Sequence, residues 1–118
     1  MGRVGRIDDE PFCYLTTRGR RTGRHHMIEI WFAASPSGST LYLLAGGRTD
    51  WVRNLMADAA VSVRVGRSGP EMTATARVLA AGDDEDALAR RLVLQKYATD
   101  STELAGWGQS ALAVAIDL

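Results

Sequence analysis

Residues 26–45, HMIEIWFAASPSGSTLYLLA, decide the fold. In the first half Ile28, Ile30 and Phe32 alternate with Met27, Glu29 and Trp31. Successive side chains of an extended chain point to opposite faces, so this period of two predicts a strand over 26–34 with one face on a core. Ser35, Pro36, Ser37, Gly38 and Ser39 then supply turn chemistry, and an apolar run returns over 40–45 as a second strand. So short a connection cannot carry a parallel crossover, which takes a dozen residues or more. The two strands are therefore expected to pair as an antiparallel hairpin.

The same pattern extends in both directions. Residues 12–17 (FCYLTT) are aromatic and β-branched and predict a strand that runs into an Arg/Gly turn. Gly46 and Gly47 end the strand at 40–45. Asp50 is expected to cap a short helix over 51–59, with Trp51 and Leu55 on one face and Val52 and Met56 on an adjoining one. Residues 61–65 and 72–79 alternate around a turn at 66–70, a second hairpin. The acidic cluster Asp83 to Asp86 opens a helix reaching about Tyr97, with Arg90, Arg91 and Lys96 placed to suit its dipole. Residues 99–108 carry no decisive pattern, and 111–118 (ALAVAIDL) read as a closing strand. The expectation is a mainly β, α+β chain: about six mostly antiparallel strands with two or three peripheral helices, closed into a small barrel that leaves few free edges.

Composition bounds the rest. A chain of 118 residues and 12.8 kDa with 46% hydrophobic and 24% charged residues is one globular domain spanning 1–118. Fourteen basic and fourteen acidic residues cancel, so no overall field draws it to nucleic acid. A single cysteine, Cys13, excludes an intrachain disulfide and favours a reducing compartment. No apolar run approaches the ~20 residues of a membrane span. The charged first residues have no apolar stretch behind them, so the expected location is the cytoplasm.

Two stretches carry chemistry. Arg18, Arg20, Arg21 and Arg24 are interleaved with Gly19, Thr22 and Gly23. Glycine lets backbone approach a ligand, guanidinium forks match phosphate oxygens, and Thr22 adds a hydroxyl. Such a turn is either an anion cradle or a solvated loop. The absence of aromatic residues within the cluster counts against a nucleic-acid patch. The second stretch runs Gly46, Gly47, Arg48, Thr49, Asp50, Trp51, Val52, Arg53, Asn54. A Gly pair leading into a helix N-terminus offers backbone donors, and Trp51 is placed either to wall a pocket or to fill the core. Both loops follow strands and are positioned to flank one cleft.

Residues 14–24 (YLTTRGRRTGR), followed by 51–58 (WVRNLMAD) and Val61-Ser62-Val63, resemble the deazaflavin-dependent nitroreductase family, which includes the F420-dependent quinone reductases. The resemblance is clear over 12–65 and fades beyond. It implies a split β-barrel like that of flavin-binding pyridoxamine-phosphate oxidases, coenzyme F420, and hydride transfer to a small acceptor such as a quinone, a nitroaromatic or an activated alkene. By motif position, Arg20, Arg21, Thr22, Gly23 and Arg24 would hold the phosphate and the start of the acidic tail. Ala45, Gly46 and Gly47 would lie along the ring, with Arg48, Trp51, Arg53 and Asn54 as further pocket residues. The chain departs from the family at His25-His26, where Pro-Arg is common, and at Glu29, where Pro is common. Tyr97 and Trp107 are candidates for the acceptor pocket.

Alternatives from the same fold are an FMN-dependent oxidoreductase and a carrier of deazaflavin, haem or lipid without turnover. His25 and His26 point to opposite sides of a strand and no further His or distant Cys supports them, so no metal site is expected. His26 is the candidate proton donor or hydrogen-bond partner beside the coenzyme. Glu29 is expected to pair with an arginine of the turn, the alternative being that it orients a catalytic group, and Cys13 to serve as a small buried hydrophobe. Of Trp31 and Phe32, one should enter the core and the other wall a pocket or interface. Apolar residues on both strand faces point to a homodimer.

Overall fold

The stretch 26–34 is two strands rather than one. In the computed structural model, which describes residues 7–46, 49–97 and 111–118, it breaks at Trp31 and Phe32 into β2 (His25–Ile30) and β3 (Ala33–Ala34). β2 turns away from the expected hairpin and pairs antiparallel with β1 (Cys13–Arg18), Cys13 opposite Ile30 and Arg18 opposite His25. Only β3 pairs with β4 (Thr40–Ala45), through Ala33–Tyr42 and Ala34–Leu41. The hairpin predicted over 26–45 is thus confined to its tip.

Backbone groups at the break need partners, and Tyr97 supplies them. The Phe32 amide donates to the Tyr97 hydroxyl at 3.1 Å, whose own hydrogen faces the carbonyls of Pro11 at 2.7 Å and Phe32 at 3.0 Å. The Trp31 ring stacks on Tyr97 with centroids 4.4 Å apart, while Phe32 turns fully into the core.

Helix α1 (Asp50–Ala57) leads into β5 (Ala60–Val65) and β6 (Glu71–Val78), and helix α2 (Asp84–Lys96) precedes β7 (Leu112–Asp117). A short 3-10 turn, Ile7–Asp9, precedes β1. The seven strands form one sheet in the order β2-β1-β5-β6-β7-β4-β3, antiparallel at every described pairing. The two outermost strands are consecutive in the chain and separated only by Trp31 and Phe32, so the sheet curls back on itself as a half-barrel. The seventh strand beyond the expected six is β3, the price of turning that corner.

Alternation sorts the side chains. Cys13, Leu15, Val61, Val63, Leu41, Leu43, Val114 and Ile116 point into the curl with Phe32 and Leu55, and Ile28 and Ile30 pack on their margin. The opposite faces of β4 and β7 are buried too, because Tyr42, Leu44, Ala113 and Ala115 lie under α2 against Ala89, Val93 and Tyr97. Small alanines on β7 let the helix approach closely. The two-sided apolar pattern that suggested a partner subunit is therefore met, at these strands, by the chain's own helix.

Helix boundaries fall close to expectation, with one change. Thr49, not Asp50, is the N-cap of α1. It caps without a side-chain bond, its hydroxyl instead donating to the Gly46 carbonyl at 3.1 Å, and Asp50 is the first helical residue. The helix buries Val52, Asn54 and Leu55, while Met56 faces solvent. In α2 the first-turn acids and the terminal Lys96 suit the dipole. Arg90 binds Asp86 at 3.1 Å and holds that carboxyl below its usual range. Among the described residues no helix is long and apolar enough to cross a membrane.

Candidate active site

The connection 19–24 between β1 and β2 is closed by its own backbone. The Gly19 amide donates to Arg24 O at 2.7 Å and the Gly23 amide to Gly19 O at 2.9 Å. Gly23 sits at φ 76°, where a side chain would be strained. A Cβ at Gly19 would lie 3.0 Å from His26 Nε2 and 3.1 Å from Arg24 O, so glycine is what lets strand and turn pack this tightly. Thr22 Oγ1 accepts the Arg24 amide at 3.2 Å, which leaves the hydroxyl hydrogen free to donate outward.

Asn54, buried on α1, ties this turn to the helix. Its Oδ1 accepts the Arg20 amide at 3.2 Å and Arg20 Nη1 at 2.9 Å, and its Nδ2 donates to the buried Thr17 Oγ1 at 3.4 Å. Asp50 lies 3.6 Å from Arg20 Nη2. Arg20 is therefore engaged within the protein. The guanidinium groups of Arg21 and Arg24 have no ion pair or hydrogen bond with another described residue. Thr17 was missed in the sequence, although Cys13, Leu15 and Thr17 share the core face of β1, and a buried hydroxyl there requires a partner.

Arg20, Arg21, Thr22, Arg24, His26, Trp51 and Asn54 line one groove of ≈ 670 Å³. A second, mostly apolar pocket of ≈ 310 Å³ is lined by Phe12, Ile30, Trp31, Leu44, Ala45, Gly46 and Trp51. Trp51 belongs to both. β2 also runs from one to the other, with His26, Met27 and Ile28 on the groove and Glu29, Ile30 and Trp31 on the pocket.

Most of the residues singled out in the sequence thus meet in one place. His26 stands among the arginines rather than at the apolar pocket. Arg53 is exposed on α1 and lines neither cavity. Gly47, Arg48 and Trp107 lie outside the described residues. Phe12 and Ile30 were not foreseen as walls, because only the curl of the sheet brings them to Ala45 and Gly46.

Three neighbouring groups differ from expectation or sharpen it. Glu29 does not reach the arginines of the turn. The strand register sets Tyr14 opposite it, and the Tyr14 hydroxyl donates to Oε2 at 2.7 Å. Tyr97 is engaged at the β2–β3 corner and does not line the apolar pocket. Cys13 is buried as expected, and burial pushes its thiol up to about 12, so it is no nucleophile near neutrality.

An antiparallel half-barrel with an arginine-lined groove beside an aromatic pocket, the two sharing Trp51, has the shape and chemistry to suit a long ligand, anionic at one end and flat and apolar at the other. The profile of the F420H(2)-dependent quinone reductase family matches residues 1–117, and the chain belongs to that family. It is an F420H2-dependent oxidoreductase, and its coenzyme is F420.

Solved structures agree on the fold. The F420-H2 dependent reductase FDR-A superposes with a TM-score of 0.71 at 20% identity, over 91% of this chain and 94% of its own. A protein described as a domain-swapped dimer gives 0.71 at 20% identity over 91% and 80%. The heme storage protein HutZ of Vibrio cholerae gives 0.72 at 13% over 98% and 87%. No curated protein is significantly similar in sequence. The residues present fit the coenzyme: unpaired guanidinium groups suit its phosphate and glutamate tail, and the Trp51 pocket suits its ring.

Proposed function

We propose that the protein uses reduced F420 to reduce a small electrophilic acceptor, a quinone, nitroaromatic or activated alkene. What carries this reading is the continuity of the arginine groove and the apolar pocket at Trp51. Arg21 and Arg24, with the Thr22 hydroxyl, bind the phosphate and the first tail carboxylates. Arg20, held by Asn54, positions the turn that presents them. Gly23 gives that turn its shape, and His26 adds a further donor to the groove. Ala45 and Gly46 bound the ring with Trp51. When bound, the reduced coenzyme supplies the hydride. Phe12, Ile30 and Trp31 exclude water around it, and the pocket fixes the distance over which transfer occurs.

The protein works as a homodimer in this reading, in keeping with the domain-swapped assembly described for one structural relative. Light scattering should then give twice the 12.8 kDa chain mass.

Titration of F420 into the wild type and into Arg21→Glu tests the site. A charge-assisted hydrogen bond contributes roughly 1.5–3 kcal/mol, so its loss should weaken affinity about tenfold to a hundredfold. Unchanged affinity would remove the arginine cradle. Oxidation of F420H2 by none of the three acceptor classes would leave coenzyme binding without the proposed reaction.

A further inference from the structure

The apolar pocket continues beyond its own walls. Phe12 and Glu29 also line a larger cavity of ≈ 690 Å³ beside the turn 66–70, where Glu10, Tyr14 and Arg67 face them. The arginine groove adjoins the ring pocket at Trp51, and this cavity adjoins it at Phe12 and Glu29.

Glu29 stands at the junction. The Tyr14 hydroxyl, donating to Oε2 at 2.7 Å, fixes the carboxylate at the wall common to both cavities. Arg64 steadies Tyr14 in turn, its guanidinium carbon 4.9 Å from the ring centroid. Oε1 takes no hydrogen bond from a described residue, so it is available to a ligand. Glu10 adds a second carboxylate, packed so closely over Gly66 that a Cβ there would fall 2.7 Å from Oε1 of Glu10. Arg67 is a cation of the outer cavity only, and the Tyr14 phenol and the Glu29 carboxylate favour its charged form.

We propose, on the basis of the F420-dependent reading, that this cavity admits the acceptor and that Glu29 sets its specificity. It favours neutral or cationic electrophiles and rejects those with an anion beside the reducible carbons. A carboxylate with a free oxygen attracts a donor, and it repels an anion more strongly as water is displaced from between them.

The test uses the whole protein and Glu29→Gln, an exposed change of similar shape. Both are titrated with menadione and with 1,4-naphthoquinone-2-sulfonate by quenching of tryptophan fluorescence. The titrations are run first alone and then with oxidised F420 bound, where no reduction occurs. Glu29→Gln is expected to raise affinity for the sulfonate relative to menadione by about fivefold or more, both alone and with oxidised F420 bound. A ratio that the substitution leaves in place overturns the role of Glu29. If neither protein binds F420, the oxidoreductase reading fails and the acceptor assignment goes with it.

Discussion

Asn54 does at the residue scale what the arginines cannot do for themselves. Four guanidinium groups within a few residues repel one another, and a hydrogen-bonding anchor holds the turn against that repulsion. Its Oδ1 takes both the amide and Nη1 of Arg20, and its Nδ2 satisfies Thr17. Asn54→Ala leaves a buried hydroxyl and an amide without partners, and should cost about 1–3 kcal/mol of stability. Urea denaturation would measure the loss. F420 affinity should fall in parallel although Asn54 need not touch the phosphate. An unaltered affinity in the folded variant would show that the turn keeps its shape without this tie.

At the scale of elements, the sequence was clearest wherever local pattern and pairing agreed. The β5–β6 hairpin, β4 and both helices fall within a few residues of where alternation and capping put them. It was least clear at 26–34, because unbroken alternation says nothing of a corner. What turns that corner is Tyr97, far along the chain on the other side of α2. Tyr97→Phe keeps the ring stacked on Trp31 but strips the Phe32 amide and the Pro11 carbonyl of their partner. A loss of about 1–3 kcal/mol is expected. Hydrogen exchange should show the damage concentrated at the β2–β3 bend, with the β5–β6 hairpin protected as before. Uniform loss of protection would mean that the corner is held by packing alone. The same distance from local pattern hid the role of α2: apolar residues on both faces of β4 and β7 look alike whether a helix or a second subunit covers them.

Across the whole molecule the formal charge is zero, yet it is unevenly placed. Three arginines meet at one groove with a single carboxylate, Asp50, among its lining residues, while an acidic run opens α2 elsewhere. The motif residues of the groove were legible because arginine and glycine at these spacings have a chemistry of their own. Trp31 was half legible, as the partner of Phe32 that would wall a pocket or interface, but Phe12 and Ile30 were not, since an apolar residue becomes a pocket wall only through what the sheet brings opposite it. The division between charged groove and apolar pocket makes a prediction that neither part makes alone. Ions screen exposed charges over about 10 Å at 0.1 M salt and about 3 Å at 1 M, whereas burial of a flat ring is not weakened by salt. The dissociation constant of intact F420 should therefore rise several-fold between low and high salt, while that of the tail-less deazaflavin chromophore should stay flat or fall. Arg21→Glu should reduce the salt response of F420 and leave that of the chromophore alone. Parallel responses from the two ligands would mean that tail and ring are not read by separate surfaces. The single groove through Trp51 would then be the wrong description of how this chain holds its coenzyme.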